Sequence, residues 1–140
     1  MIRGADIVSE ARRWLGVPFQ HQGRGKFGVD CVGLVICVRN ALAPWPEALA
    51  ENRAYRRHVG SPILHDKARF YGEQVSGPAP GVIALIRWPA NADPTHVGIL
   101  TESTIIHSYE RVGRVVECGF RDPWLKWTHS YYRLPGVAYE

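Results

Sequence analysis

Apolar positions along the chain change their period once. Over residues 6–15 they recur at helical spacing, with Ile7, Ala11, Trp14 and Leu15 on one face, and Gly16 and Pro18 end the run. A second stripe of Cys31, Leu34, Val35, Val38 and Leu42 predicts a helix from Asp30 or Cys31 to about Ala43, stopped by Pro44-Trp45-Pro46. Between them lies a loop, Phe19 to Val29, with Gly23-Arg24-Gly25-Lys26 at its centre. The stretch 47–80 is mixed: a helix is expected over about Ile63 to Val75, and Ser76-Gly77-Pro78-Ala79-Pro80-Gly81 is a break. Then period two takes over, with strands predicted over Val82–Trp88, His96–Thr101, Thr104–Tyr109, Arg114–Cys118 and Ser130–Leu134. Helices first and a meandering antiparallel sheet afterwards specify an α+β fold. No repeat, low-complexity tract or linker divides it, so residues 1–140 are expected to form one domain.

The central hairpin has a register that follows from its turn. If Glu102-Ser103 is the two-residue turn, Thr101 faces Thr104, Gly98 faces His107 and His96 faces Tyr109. Side chains alternate faces, so His96 and His107 become diagonal neighbours on one face, about 7–8 Å apart at the backbone. Gly98, opposite His107, is expected to leave that spot uncovered for another group to approach.

Composition narrows the class. The hydrophobic share of 46% and charged share of 21% are ordinary for a soluble globular domain. Seventeen Lys and Arg against thirteen Asp and Glu give a net charge of +4, a mild basic bias that favours anionic surroundings without choosing among them. Three cysteines in no CxxC pair, Cys31, Cys37 and Cys118, make neither a disulfide framework nor a zinc ribbon. No run is long enough to span a bilayer, and no apolar signal region precedes the first helix, so synthesis in the cytoplasm without a Sec signal is expected.

The chemistry concentrates at Asp30-Cys31-Val32-Gly33-Leu34. A thiol in the first helical turn, behind a capping aspartate, is expected to be pushed toward thiolate by the exposed backbone N–H groups. A nearby imidazole, His96, can take its proton, and His107 can orient that imidazole. Cys37 and Cys118 fit the role of buried apolar residues better. His21 sits on the loop facing the thiol, where it lines the cleft or is a plain surface histidine, while His58, His65 and His129 join no constellation. Gly23-Arg24-Gly25-Lys26-Phe27-Gly28 lacks the ending and the preceding strand of a phosphate loop, and nucleic acid is not an expected partner. Zinc held by Cys31, His96 and His107 has no HExxH or local ligand pair behind it, so no metal and no cofactor are expected. The tryptophans Trp14, Trp45, Trp88, Trp124 and Trp127 read as core or cleft wall.

These residues resemble the NlpC-type cell-wall cysteine peptidases, a papain-like family, over nearly the whole chain. Trp14-Leu15-Gly16-Val17-Pro18-Phe19 is similar to the family's first helix end and Gly-x-Pro-Tyr turn, and Asp30-Cys31-Val32-Gly33-Leu34 to its Asp-Cys-Ser-Gly-Leu nucleophile motif. His96-Val97-Gly98-Ile99 resembles its His-Val-Gly-Ile strand, and His107 falls at its third polar residue. Leu85-Ile86-Arg87-Trp88, Ile105 to Glu110 and Tyr132 to Pro135 resemble the stand-alone peptidases of phage tails and gene transfer agents. The resemblance implies helices packed on an antiparallel sheet and a peptidoglycan endopeptidase cutting after D-glutamate, toward the diamino acid. Cys31 would be nucleophile, His96 base and acid, and His107 the orienting group. Phe19, His21, Asp30, Val32 and Gly33 would line the substrate, with Asp30 binding a free stem-peptide amine. It further implies phage-like tail or baseplate partners, a place in a virion-like tail tip and action in the periplasm. Phe19 stands where the family has tyrosine, Val32 where it has serine and Val82 where it has aspartate. Those departures motivate a second expectation, a baseplate component that binds cell wall without cutting it.

Overall fold

The computed structural model describes residues 1–43 and 72–139. Its centre is a six-stranded antiparallel sheet in the order β4-β9-β5-β6-β7-β8. The strands are β4 (Glu73–Val75), β5 (Ile83–Ile86), β6 (His96–Leu100), β7 (Thr104–Tyr109), β8 (Arg114–Gly119) and β9 (Thr128–Arg133). Helices α1 (Gly4–Arg12) and α2 (Cys31–Leu42) lie on one face. The short α3 (Trp124–Trp127) and a set of aromatic residues cover the other. Two small ladders complete the fold: β2 (Arg24–Gly25) pairs with β3 (Gly28–Val29), and β1 (Ile2–Arg3) runs parallel to β10 (Val137–Ala138).

The two faces are read off the alternation. Ile83, Leu85, Val97, Ile99, Ile106 and Tyr132 point toward the helices, where Ile7, Ala11, Leu34, Val35 and Val38 meet them. Val82, Ala84, Ile86, Leu100 and Ile105 point the other way, under Trp88, Trp124 and Trp127. Burying each such Ile, Leu or Val contributes about 1.5–3 kcal/mol, so both layers are held by apolar contact. The strand period therefore sorts the sheet into two separate cores.

Several predicted boundaries move. Helix α1 begins at Gly4, because the Asp6 carboxylate accepts the Arg3 N–H at 2.8 Å and closes the first turn. It ends at Arg12, since Trp14 N–H bonds the Ala11 carbonyl three residues back and tightens the chain into a turn. Trp14 is buried as expected, but Leu15 emerges exposed on that turn. The expected Phe19–Val29 loop contains the β2–β3 hairpin, whose tip exposes Phe27. Residues 63–71 of the expected helix lie outside the described residues, as does the Pro44–Pro46 stop. At its other end Glu73–Val75 is a strand, recruited by pairing with Tyr131–Arg133 at the sheet's edge. The remaining strands fall within one or two residues of their predicted ends.

Candidate active site

Asp30 organises the start of α2. Its Oδ1 accepts the Gly33 N–H at 2.7 Å, the N-cap bond that satisfies one orphan donor of the first turn. Its Oδ2 accepts the Gln22 N–H at 2.8 Å, and the Arg24 guanidinium donates to Oδ1 at 3.2 Å. His21 Nδ1 lies 4.0 Å from Oδ2. The carboxylate is 2% exposed, so the residue that caps the helix also pins the 21–24 loop beside it. Gly33 has a steric reason as well: a Cβ would strike the Gly23 carbonyl and meet Arg24 Nη1 at 2.8 Å. On the other side, Ser108 Oγ of β7 donates to the Val29 carbonyl at 2.7 Å and ties the segment before the cap to the sheet.

Cys31 follows as the first helical residue and is half-buried. The backbone N–H groups of Cys31, Val32 and Val97 are directed at its sulfur and favour the anion. Burial, seconded by the Asp30 charge, outweighs them and pushes the thiol up to about 12. The expectation of a helix-start thiolate is thus reversed. Three N–H dipoles do not offset the loss of water and a carboxylate next door.

The hairpin register is the one predicted from the turn. Ile99 pairs with Ile106 and Leu100 with Ile105, and Thr101 N–H closes onto the Thr104 carbonyl at 2.9 Å. His96 and His107 share a face and meet directly, Nε2 to Nδ1 at 2.7 Å. Gly98 does not leave the expected opening. A Cβ there would meet the Ile105 side chain at 2.5 Å and His107 Cβ at 3.2 Å, so the space is already filled. The glycine is needed for that packing.

The histidine face is the one turned away from α2. His96 stacks on Trp88, centroids 5.4 Å apart and planes at 23°. His107 stacks on Tyr109 at 5.3 Å and receives the edge of Trp124 at 4.7 Å. In this wall burial lowers His107 from 6.5 to about 4. His96 is lowered well below its usual value, first by burial and then by the neighbouring His107 charge. Both rings rest neutral.

Cys31 therefore approaches the sheet from the helix side while the imidazoles occupy the far side. The thiol reaches the sheet where β6 and β7 part. The two strands pair at Ile99 and Leu100 near the turn, and one step below that the Val97 N–H meets the Cys31 sulfur instead. Among the described residues the thiol forms no hydrogen bond to His96. The nitrogen of His96 that the His107 contact leaves uncommitted is Nδ1.

Of the remaining predicted site residues, Phe19 is half-buried and bridges to Val29, and Val32 is half-buried against the helix-side core. Val82 is buried at the start of β5 on the far core. His129 is exposed, with Nδ1 2.9 Å from Ser130 Oγ, and His58 and His65 lie outside the described residues. Trp88 and Trp124, expected only as core or cleft wall, line the imidazoles together with Tyr109. Trp88 follows β5, Tyr109 ends β7 and Trp124 opens α3, and only the face assignment of His96 could have pointed to them. Reasoning from sequence missed Cys118, whose sulfur lies 3.7 Å from His107 Nε2.

No family model and no curated sequence matches the chain. Solved structures do. It is similar to an NlpC/P60 family protein from Bacillus cereus, at 18% identity and a TM-score of 0.69, covering 94% of this chain and 40% of that one. The likeness to NlpC1 from Trichomonas vaginalis has a TM-score of 0.69 at 20% identity, covering 94% of this chain and 43% of the other. Against the NlpC/p60 domain of the peptidoglycan hydrolase SagA, identity is 19% and the TM-score 0.58, with 94% and 98% covered. The chain thus spans less than half of two of these neighbours and nearly all of the third. What they share with it is the fold: an α+β, papain-like NlpC/P60 architecture, with helices on an antiparallel sheet.

Proposed function

We propose that the chain is a peptidoglycan endopeptidase that hydrolyses a stem-peptide amide bond through Cys31, His96 and His107. The observation that carries this reading is the 2.7 Å His96–His107 pair set behind the seam where Val97 N–H meets the Cys31 sulfur. SagA, a fold neighbour, is itself described as a peptidoglycan hydrolase.

Because thiol and imidazole both rest neutral, the first step is general-base catalysis. The sulfur attacks the amide carbonyl as its proton passes to His96 Nδ1, and backbone N–H groups at the helix start receive the developing oxyanion. His96 then gives that proton to the leaving amine, and the C–N bond breaks. Water, deprotonated by the same nitrogen, hydrolyses the thioester and returns the thiol. His107 accepts the His96 Nε2–H throughout and holds the ring in register. Phe19, His21, Asp30, Val32 and Gly33 flank the approach to the sulfur. The resemblance supports the finer reading: cleavage between D-glutamate and the diamino acid, in a protein carried by a phage-like tail and acting in the periplasm.

The deciding experiment is digestion of Gram-negative peptidoglycan by wild type and Cys31→Ala, with fragments read by liquid chromatography and mass spectrometry. Fragments that depend on Cys31 are expected, and their masses identify the bond. A folded protein releasing none from sacculi or soluble muropeptides overturns the peptidase reading. It would favour the second one, a tail or baseplate component that binds wall without cutting. The raised thiol and the absent thiol–imidazole bond are the observations on that side.

A further inference from the structure

Behind the histidine pair the chain of polar contacts continues for one more residue. Cys118 lies on β8, where Ile105 pairs with Cys118 and His107 with Val116, so Cys118 is a diagonal neighbour of His107 on the same face. Its sulfur is 3.7 Å from His107 Nε2, and the Trp124 indole donates to that sulfur. His107 is fully buried. Its Nδ1 faces His96, and its Nε2 faces sulfur.

Proton counting gives this contact a consequence. For His96 to accept a proton at Nδ1, its single ring proton must sit on Nε2, pointing at His107. His107 must then present a bare Nδ1 and carry its own proton on Nε2. The opposite tautomer of His107 would donate to His96 Nε2, move the His96 proton to Nδ1 and leave no lone pair for the thiol. The two arrangements differ in what Nε2 of His107 needs: a hydrogen-bond acceptor in the first, a donor in the second. A thiol can serve as either, and only as acceptor does Cys118 leave His96 Nδ1 its lone pair. We propose that Cys118 is a positioning residue that fixes the Nε2–H tautomer of His107 and so keeps His96 Nδ1 free to accept a proton. Its catalytic meaning rests on the peptidase reading, but the tautomer itself does not.

The test is nitrogen-15 NMR of histidine-labelled protein near neutral pH, which distinguishes protonated from bare ring nitrogens. It is applied to wild type, Cys118→Ala and Cys118→Ser and paired with kcat and KM on soluble muropeptide. In wild type His107 is expected as the Nε2–H form. In Cys118→Ala a mixture with the Nδ1–H form should appear and kcat should fall roughly tenfold at unchanged KM. The hydroxyl of Cys118→Ser should restore both. A wild-type His107 protonated at Nδ1, or a tautomer unchanged in Cys118→Ala, overturns the assignment whether or not the protein cleaves. The wild-type spectrum is decisive even if the alanine variant fails to fold. Conversely, a fixed Nε2–H tautomer that Cys118→Ala loosens, in a protein without Cys31-dependent cleavage, sustains the positioning role and removes the peptidase reading.

Discussion

The fully buried His107 makes the fold sensitive to acid in a way that can be calculated and isolated. In the folded protein its ionisation is lowered to about 4, against 6.5 in the unfolded chain. Between those values the unfolded state binds a proton that the folded state refuses, so stability rises with pH. Its contribution is complete above about pH 6.5 and is lost as pH falls toward 4. At about 1.4 kcal/mol per pH unit, the loss is about 2 kcal/mol near pH 5 and about 3 kcal/mol near pH 4. His107→Gln removes the titration while its side-chain oxygen can still accept the His96 Nε2–H, whatever it costs near neutrality. The assay is urea unfolding of both proteins at a series of pH values between about 7 and 4. With a urea slope of about 1–3 kcal/mol per molar, the wild-type midpoint should lose about 1–3 M more than the variant's on acidification. Carboxylates whose ionisation is lowered on folding, Glu117 beside Arg12 among them, act on both proteins and cancel in the difference. Midpoints that fall in parallel would refute the reasoning, because His107 would then ionise alike folded and unfolded.

Other outcomes follow from the site. Cys31 resting as a thiol predicts slow iodoacetamide labelling near pH 6 and a rate that keeps climbing beyond about pH 9; rapid labelling near pH 6 would contradict it. Because burial lowers His96, the acid limb of kcat/KM on soluble muropeptide should lie well below pH 6.5, activity falling only when that imidazole finally protonates. Asp30→Ala should cost about 3 kcal/mol in thermal or urea unfolding by stripping the α2 cap and leaving Arg24 without its carboxylate. Asp30→Asn, which keeps a capping oxygen, should cost less. Gly98→Ala forces a methyl onto Ile105 and His107, so a destabilisation of about 1–3 kcal/mol is expected together with a lower kcat.

Much of this arrangement was legible in the residue order, and the reasons it was legible are local. The His96–His107 meeting followed from one turn and the two-residue period of a strand, both nearest-neighbour geometry. The Asp30 cap followed from a short polar side chain placed before an apolar helical run. The errors were of two kinds. Glu73–Val75 became a strand because a distant edge, Tyr131–Arg133, offered backbone partners that no local pattern announces. The state of the Cys31 thiol was misjudged because a helix-end dipole can be read from sequence, whereas burial and the balance it sets cannot. The placing of the aromatic wall was hidden in the same way. Trp88 and Trp124 are far apart in the chain, and only the assembled sheet brings both to the imidazoles.

The seam between β6 and β7 makes the sheet a partition with a hatch. On the helix side are sulfur, backbone N–H groups and the charged Asp30 network, and on the other side imidazoles shuttered by indole rings. On the peptidase reading, what has to pass between the two sides is a proton and not an acyl group. Thiol and imidazole can therefore be addressed as separate compartments, an alkylating agent reaching the first and the second staying shielded. The same division would set the direction of traffic during turnover, with substrate and water arriving and leaving on the sulfur side while charge alone crosses the sheet.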